Sequence, residues 1–180
     1  QVLKESNLQP KAIKAIAISA GPGSYTGLRI GTATAKGLCY GWDIPLIAVP
    51  TLRILAERVS DYLTDIQYII PMIDARRMEV FTAIYRSDFS TEVAAHPEIL
   101  TETSFASYLD QGKTLFLGDG ASKFATICSH PNAIFVTDQY PSAQQMGKLA
   151  MSLYEKRQFE DIAYFEPFYL KEFYIAKNEQ

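Results

Sequence analysis

Glycine, serine and threonine gather in one stretch, Gly21-Pro-Gly-Ser-Tyr-Thr-Gly-Leu-Arg-Ile-Gly31, where a strand hands over to a helix. Such a joint can bind an anion, because N–H groups at a helix N-terminus attract phosphate and glycine lets the ligand approach them. Gly21, Gly23 and Ser24 are the candidate nucleotide contacts. The spacing departs from both familiar phosphate loops. A Walker loop ends in Gly-Lys-Ser/Thr, but Leu28 follows Gly27 and the next lysine is Lys36, more than two helical turns away. A dinucleotide fingerprint needs G-x-G-x-x-G and an acidic residue closing the next strand, whereas these glycines are one residue out and Ile44–Val49 runs into Pro50. A tight turn that binds nothing stays open as the alternative.

A second glycine turn, Gly118-Asp119-Gly120, is a candidate adenine- or ribose-facing element. The competing reading has Asp119 capping the following helix while the glycines supply turn geometry. Asp74 reads as a turn former or as an acid facing a cleft. His96 and His130 each precede a proline and begin neither H-x-x-x-H nor H-E-x-x-H, so they read as loop residues and no metal site is expected. Cys39 and Cys128 stand far apart without a C-x-x-C pair, which favours reduced thiols. Ser24 lacks the G-x-S-x-G elbow of a serine hydrolase. No catalytic residue emerges.

The elements that must position these residues alternate between strand and helix. Ala12–Ile18 reads as a strand covered on both faces, Thr26 to Tyr40 as a helix, Ile44–Val49 as a strand and Thr51 to Val59 as a helix. The chain divides near Asp61–Asp65, giving units 1–61 and 62–180. In the second, Ile66 to Ile73 and Met78 to Tyr85 flank a four-residue connection and predict a hairpin. Glu92 to Leu100 adds a strand, followed by a helix from Ser104 to Asp110, strand Lys113–Leu117, the glycine turn, a short helix and strand Ala133–Thr137. After Pro141, Ser142 and Gln145 fit a capping box, and Met146, Leu149, Ala150 and Leu153 form an apolar stripe. This is mixed α/β order, and the repeated strand–glycine-turn–helix joint suggests an old duplication.

The helix after the first glycine loop carries small residues at steps of three and four: Gly27, Gly31, Thr34, Ala35 and Leu38, with Ile30 beside them. Glycine inside a helix costs about 1 kcal/mol relative to alanine, so Gly31 and Gly37 call for a compensating close approach. Either the chain's own sheet, a neighbouring helix of the same chain, or a helix of another subunit supplies it.

Composition narrows the partners. The 180 residues are 48% hydrophobic and 21% charged, enough for a real core. No apolar run approaches the ~20 residues of a membrane span, and a cytoplasmic setting fits best. Seventeen basic against twenty acidic residues give a net charge of −3, a poor grip on a phosphate backbone. Arg76, Arg77 and Arg86 make a local basic spot that reads as a solvated hairpin tip. The opening Gln1–Pro10 has no initiator methionine and reads as the last turns of a helix ended by Pro10.

The loop Gly21–Gly31, the helix with Lys36-Gly37-Leu38 and the Val49-Pro50-Thr51-Leu52 beyond it resemble the bacterial TsaB (YeaZ) family. So do Ile73-Asp-Ala-Arg-Arg-Met-Glu-Val80, Gly118-Asp-Gly-Ala121, Pro141-Ser-Ala143 and Glu166-Pro-Phe-Tyr-Leu170. The resemblance implies an actin-like (ASKHA), ribonuclease-H-like fold in two lobes. Residues 1–61 would be the remainder of the first lobe, with the family's N-terminal hairpin and most of its first helix missing, and the final helices of 62–180 would pack back on it. It also implies a non-catalytic scaffold for a TsaD-like paralogue, which carries the transferase chemistry that forms threonylcarbamoyladenosine in tRNA. The partner surface would be Gly27, Ile30, Gly31, Thr34, Ala35 and Leu38. A TsaE-like ATPase would join the complex, a homodimer would form when the chain is alone, and tRNA would be reached only through the complex. No cofactor is required of this chain, with ATP or ADP expected at the subunit junction. The competing function is an actin-like ATP-binding enzyme, an ATPase or small-molecule kinase, with Gly21, Gly23, Ser24, Gly118, Asp119 and Gly120 as its nucleotide contacts. A metalloprotease comes last.

Overall fold

The computed structural model describes residues 1–62 and 64–171. A short helix α1 (Val2–Glu5) ends at Ser6, ahead of Pro10, which instead opens a single 3₁₀ turn, Pro10–Ala12. Strand β1 (Ile16–Ser19) therefore starts later than the apolar run suggests, and all four of its residues are only half-buried. Helix α2 (Tyr25–Trp42) comes next, then β2 (Leu46–Val49) and α3 (Thr51–Ala56). Beyond Ala56 the chain tightens into a 3₁₀ segment, Glu57–Tyr62, with a kink at Val59.

A crossover helix is the ordinary way to bring two successive strands parallel. Here Ile16 to Ser19 lie opposite Leu46 to Val49 in a two-stranded parallel sheet. The second sheet contains β3 (Ile66–Asp74), β4 (Glu79–Arg86), β5 (Thr91–Ile99), β6 (Lys113–Gly118) and β7 (Ala133–Thr137), in the order β5-β4-β3-β6-β7. Its β5-β4-β3 half is antiparallel and its β3-β6-β7 half parallel. The β3–β4 connection is the expected four residues, with Arg76 and Arg77 both at positive φ. Short helices α4 (Ala106–Leu109) and α5 (Ala121–Ala125) flank β6, and α6 (Ala143–Glu155) closes the described helices.

Burial explains the layering. On one face of the second sheet Ile69, Leu115 and Leu117 pack on Leu52 and Leu55 of α3. On the other, Ile70, Met72 and Phe116 pack on Phe124 of α5 and Leu109 of α4. Phe116 stacks on Phe135 at 5.3 Å and meets Phe124 edge-on at 4.9 Å, geometries that suit the ring quadrupole. The first sheet is covered by α6 on one side, through Ile47, Val49, Ile54 and Ala150, and by α2 on the other, through Leu46, Ala35 and Cys39. Helix α3 is thus shared: Ile54 faces the first sheet, Leu52 and Leu55 the second.

Two local expectations need correction. The capping box of α6 does not close, because the Ser142 hydroxyl bonds the Gln145 side chain and caps no backbone N–H. Helix α4 is shorter than Ser104 to Asp110, since Phe105 at its start adopts φ 62°. Residues 172–180, the end of the expected second unit, lie outside the described residues.

Candidate functional site

The β1–α2 loop is built by long-range bonds. Gly21 sits at φ +108°, and a Cβ there would lie 2.3 Å from the Phe168 carbonyl oxygen, so only glycine fits. Its N–H donates to Thr51 Oγ1 at 3.0 Å, and its carbonyl accepts from Thr51 N–H at 2.9 Å. The Ser19 and Thr51 hydroxyls meet at 2.5 Å. The backbone of Gly21 is thereby consumed by the start of α3. Ser24 is the α2 N-cap, its hydroxyl accepting from Gly27 N–H at 3.3 Å. Gly23 faces open space. Of the first three candidate nucleotide contacts, Gly23 and Ser24 stand at the rim and Gly21 is enclosed.

The second glycine turn is packed as closely. Gly118 has φ +112°, and a Cβ would come 2.2 Å from the Met72 carbonyl oxygen and 2.9 Å from Leu55 Cδ2. At Gly120 a Cβ would meet Val80 Cγ1 at 2.8 Å, and its N–H donates to Met72 O at 3.1 Å. Asp119 does not cap α5: its carboxylate accepts from Asp74 N–H at 3.0 Å. Asp74 in turn pairs with Lys123 at 2.6 Å and accepts from Arg76 N–H at 2.6 Å. Burial alone would raise the Asp74 carboxyl, but the hydrogen bonds from Lys123 and Arg76 N–H, with the Lys123 charge, hold it below its ordinary range. Lys123 also reaches the Glu79 carbonyl at 3.3 Å. Arg76 and Arg77 are exposed at the hairpin tip, whereas Arg86 lies at the far end of β4 and pairs with Glu92. The three arginines therefore form no single spot.

Helix α2 presents two different faces. Thr32, Ala35 and Cys39 are buried against the first sheet, so Ala35, 3% exposed, does not belong to the expected small-residue surface. Gly27, Ile30, Gly31 and Thr34 are exposed and Leu38 is half-buried. Ile30 is 63% exposed and Tyr40 82%. A Cβ added at Gly31, Gly37 or Gly41 would touch nothing within 4 Å among the described residues, so packing by those residues does not account for the helical glycines. Gly37, Tyr40 and Gly41 extend the exposed face beyond the residues singled out from spacing; a period of 3.6 residues places Gly37 and Gly41 within about 20° of Ile30 and Tyr40 about 80° to one side.

The two histidines stay apart. His96 is not a loop residue: it lies in β5 opposite Thr82, its Nδ1 2.9 Å from the Ala94 carbonyl. His130 does sit in a loop, its Nδ1 accepting from Asn132 N–H at 3.2 Å and its Nε2 3.5 Å from Asp110 Oδ1. Cys39 is buried, which pushes its thiol up. Among the described residues, no three His, Cys, Asp or Glu side chains come together as a metal site, and no helix is long and apolar enough to cross a membrane.

The family model "TsaD: tRNA N6-adenosine threonylcarbamoyltransferase" matches residues 1–177. The chain belongs to the TsaD family. Within it, the chain is similar to proteins named "tRNA threonylcarbamoyladenosine biosynthesis protein TsaB". The Bacillus subtilis one is 41% identical over 87 residues, 47% of this chain and 36% of that protein. The Escherichia coli one is 28% identical over 179 residues, 94% of this chain and 76% of that protein. A Pseudomonas aeruginosa crystal structure, described as an uncharacterized protein with similarity to peptidase YEAZ, superposes with a TM-score of 0.78 at 25% identity, covering 94% of this chain and 79% of the other. The TsaD-family match and these neighbours establish the actin-like (ASKHA) fold and bear out the TsaB (YeaZ) resemblance carried by the motifs.

Proposed function

We propose that this chain is a non-catalytic subunit that binds a TsaD-like paralogue in the formation of threonylcarbamoyladenosine in tRNA, through the exposed face of α2. The observation that carries the reading is the glycine face itself: among the described residues Gly31, Gly37 and Gly41 open onto nothing within 4 Å, yet each costs the helix about 1 kcal/mol relative to alanine. Gly27, Ile30, Gly31, Thr34 and Leu38 are the partner contacts. Ile30 and Tyr40 provide apolar anchors amid backbone that another helix can approach closely. The names of the relatives support the pathway, since each is called a threonylcarbamoyladenosine biosynthesis protein.

A chain that needs no nucleotide of its own is supported by the state of its turns. The Gly21 and Gly120 N–H groups already donate within the chain, which leaves Gly23 and Ser24 at the rim for a nucleotide held mainly by the partner at the junction. The net charge of −3 favours reaching tRNA only through the complex. A TsaE-like ATPase as a third member and a homodimer in the partner's absence belong to the same reading.

Amide hydrogen exchange on the chain, alone and mixed with the TsaD-like subunit, tests the surface. Protection should appear along residues 26–41 on complex formation. Protection confined to the second sheet, with α2 unchanged, would contradict the proposal.

A further inference from the structure

Beyond α6 the chain turns back as a strap that touches both sheets in sequence. Glu160 N–H donates to the Leu46 carbonyl at 2.9 Å, extending the edge of β2. Lys36 of α2 then reaches over it, its Nζ donating to the carbonyls of Ala163 at 3.2 Å and Phe165 at 3.1 Å. Phe168 N–H donates to the Ala20 carbonyl at 2.7 Å, directly over the glycine loop. The Tyr169 ring lies 5.1 Å from that of Tyr25 in the first turn of α2. Last, the Lys171 ammonium pairs with the Glu79 carboxylate at the start of β4.

These links differ in strength along the strap. The body is held by backbone hydrogen bonds and by an ammonium directing two of its three donors at carbonyls, charge-assisted bonds that rank among the stronger ones. The end is held by an ion pair whose lysine is half-exposed, and such pairs contribute little and are screened by salt. Glu79 is itself on firm ground, because its carbonyl accepts from Lys123, which pairs with Asp74. A second crossing between the sheets, α3, is hydrogen-bonded to the first sheet's joint through Thr51 and meets the second sheet through the apolar Leu52 and Leu55. Apolar contacts are non-directional and permit a small pivot that a directional bond would resist.

We infer that the strap is an interlobe latch, in which the Lys171–Glu79 pair biases the angle between the two sheets, while Lys36 and Tyr25 join the strap body to α2. The weak final link lets the latch open while the strap body stays on the first sheet. Its consequence for the partner rests on the proposed α2 surface: a partner that seats on α2 is then coupled to the sheet angle, and each biases the other.

The test measures the angle without any partner. Spin labels on Tyr40→Cys of α2 and Arg77→Cys of the hairpin tip, in a Cys39→Ala, Cys128→Ser background, report the distance between the two sheets. One narrow distribution is expected at low salt. It should broaden with Lys171→Met or Glu79→Gln, and the charge swap Lys171→Glu with Glu79→Lys should restore it. In about 1 M salt, where the screening length falls to about 3 Å, the unsubstituted pair should broaden and Lys171→Met should not change further. Lys36→Met should raise amide exchange over residues 163–168 by about tenfold, the signature of a local opening. An unchanged distribution in Lys171→Met and Glu79→Gln, both folded by circular dichroism, would overturn the latch. Because no partner is present, that failure is distinct from failure of the α2 surface, which is read separately from protection on complex formation.

Discussion

The two strand–glycine–helix joints of this molecule use the same backbone solution for opposite ends. Gly21 after β1 and Gly118 at the end of β6 have nearly equal positive φ, +108° and +112°, and each lies under a carbonyl oxygen that a Cβ would strike, Phe168 O at 2.3 Å and Met72 O at 2.2 Å. The helices they launch differ. The first joint opens an eighteen-residue helix with one face buried and the other open, glycine-rich and carrying exposed Ile30. The second opens five residues whose Ala121 and Phe124 vanish into the core. A glycine whose missing Cβ is replaced by the chain's own atoms is architecture; one that faces nothing is free to serve a contact outside the chain.

The largest effect that could break this comparison lies at the second joint. Gly118→Val places a branched side chain at a positive φ against Met72 O and Leu55, so strain and overpacking add. A loss of about 3 kcal/mol or more is expected, seen as a collapse of the denaturant midpoint. A variant as stable as the parent would show that the turn is not packed as described. Gly21→Ala should cost less, about 1–3 kcal/mol, because the Phe168 carbonyl belongs to the strap and can shift away. Amide exchange should therefore rise over residues 166–170 while the second sheet keeps its protection.

Much of this architecture is legible in residue types, and the exceptions have physical causes. Strand Ala133–Thr137 stands where the alternation of apolar runs and breakers puts it, and the hairpin connection has the expected four residues but begins one later, at Ala75, because Asp74 pairs with Val80 in the sheet. Spacing alone misplaces Ala35, because steps of three and four drift around a helix with a period of 3.6, which carries it from the Gly27–Gly31 line onto the buried side. The role of Lys36 cannot be read from sequence at all: its acceptors, Ala163 and Phe165, lie 127 and 129 residues away in a segment without helical or strand pattern. The packing of Gly118 and Gly120 likewise depends on Met72, a partner that only the parallel pairing of β3 with β6 brings near.

The glycines of the open face should behave in the reverse sense. Gly31→Ala and Gly37→Ala meet no atoms of the described residues within 4 Å, so each should stabilise the isolated chain by up to about 1 kcal/mol through helix propensity. A thermal midpoint that falls would mean the face is covered by the chain itself. The smallest expected effect is electrostatic. Asp74 has its carboxyl lowered from the ordinary 3.8, so its contribution is fully present above that value and is lost as pH falls through the lower folded value. Asp74→Asn should therefore lose slightly in stability at neutral pH and flatten the acid limb of the stability profile below about pH 4. An acid limb identical to that of the parent would remove Asp74 from the account.

The central claim, that the open face of α2 is where a TsaD-like subunit sits, is tested most directly by one paired measurement on Gly31→Leu: its thermal midpoint and its affinity for that subunit by calorimetry. Open space around Gly31 predicts a midpoint at or above the parent's. A branched side chain forced into a close intersubunit contact should cost about 1–3 kcal/mol, roughly a fivefold to hundredfold loss of affinity. Unchanged affinity, whatever the midpoint, would contradict the assignment of this face.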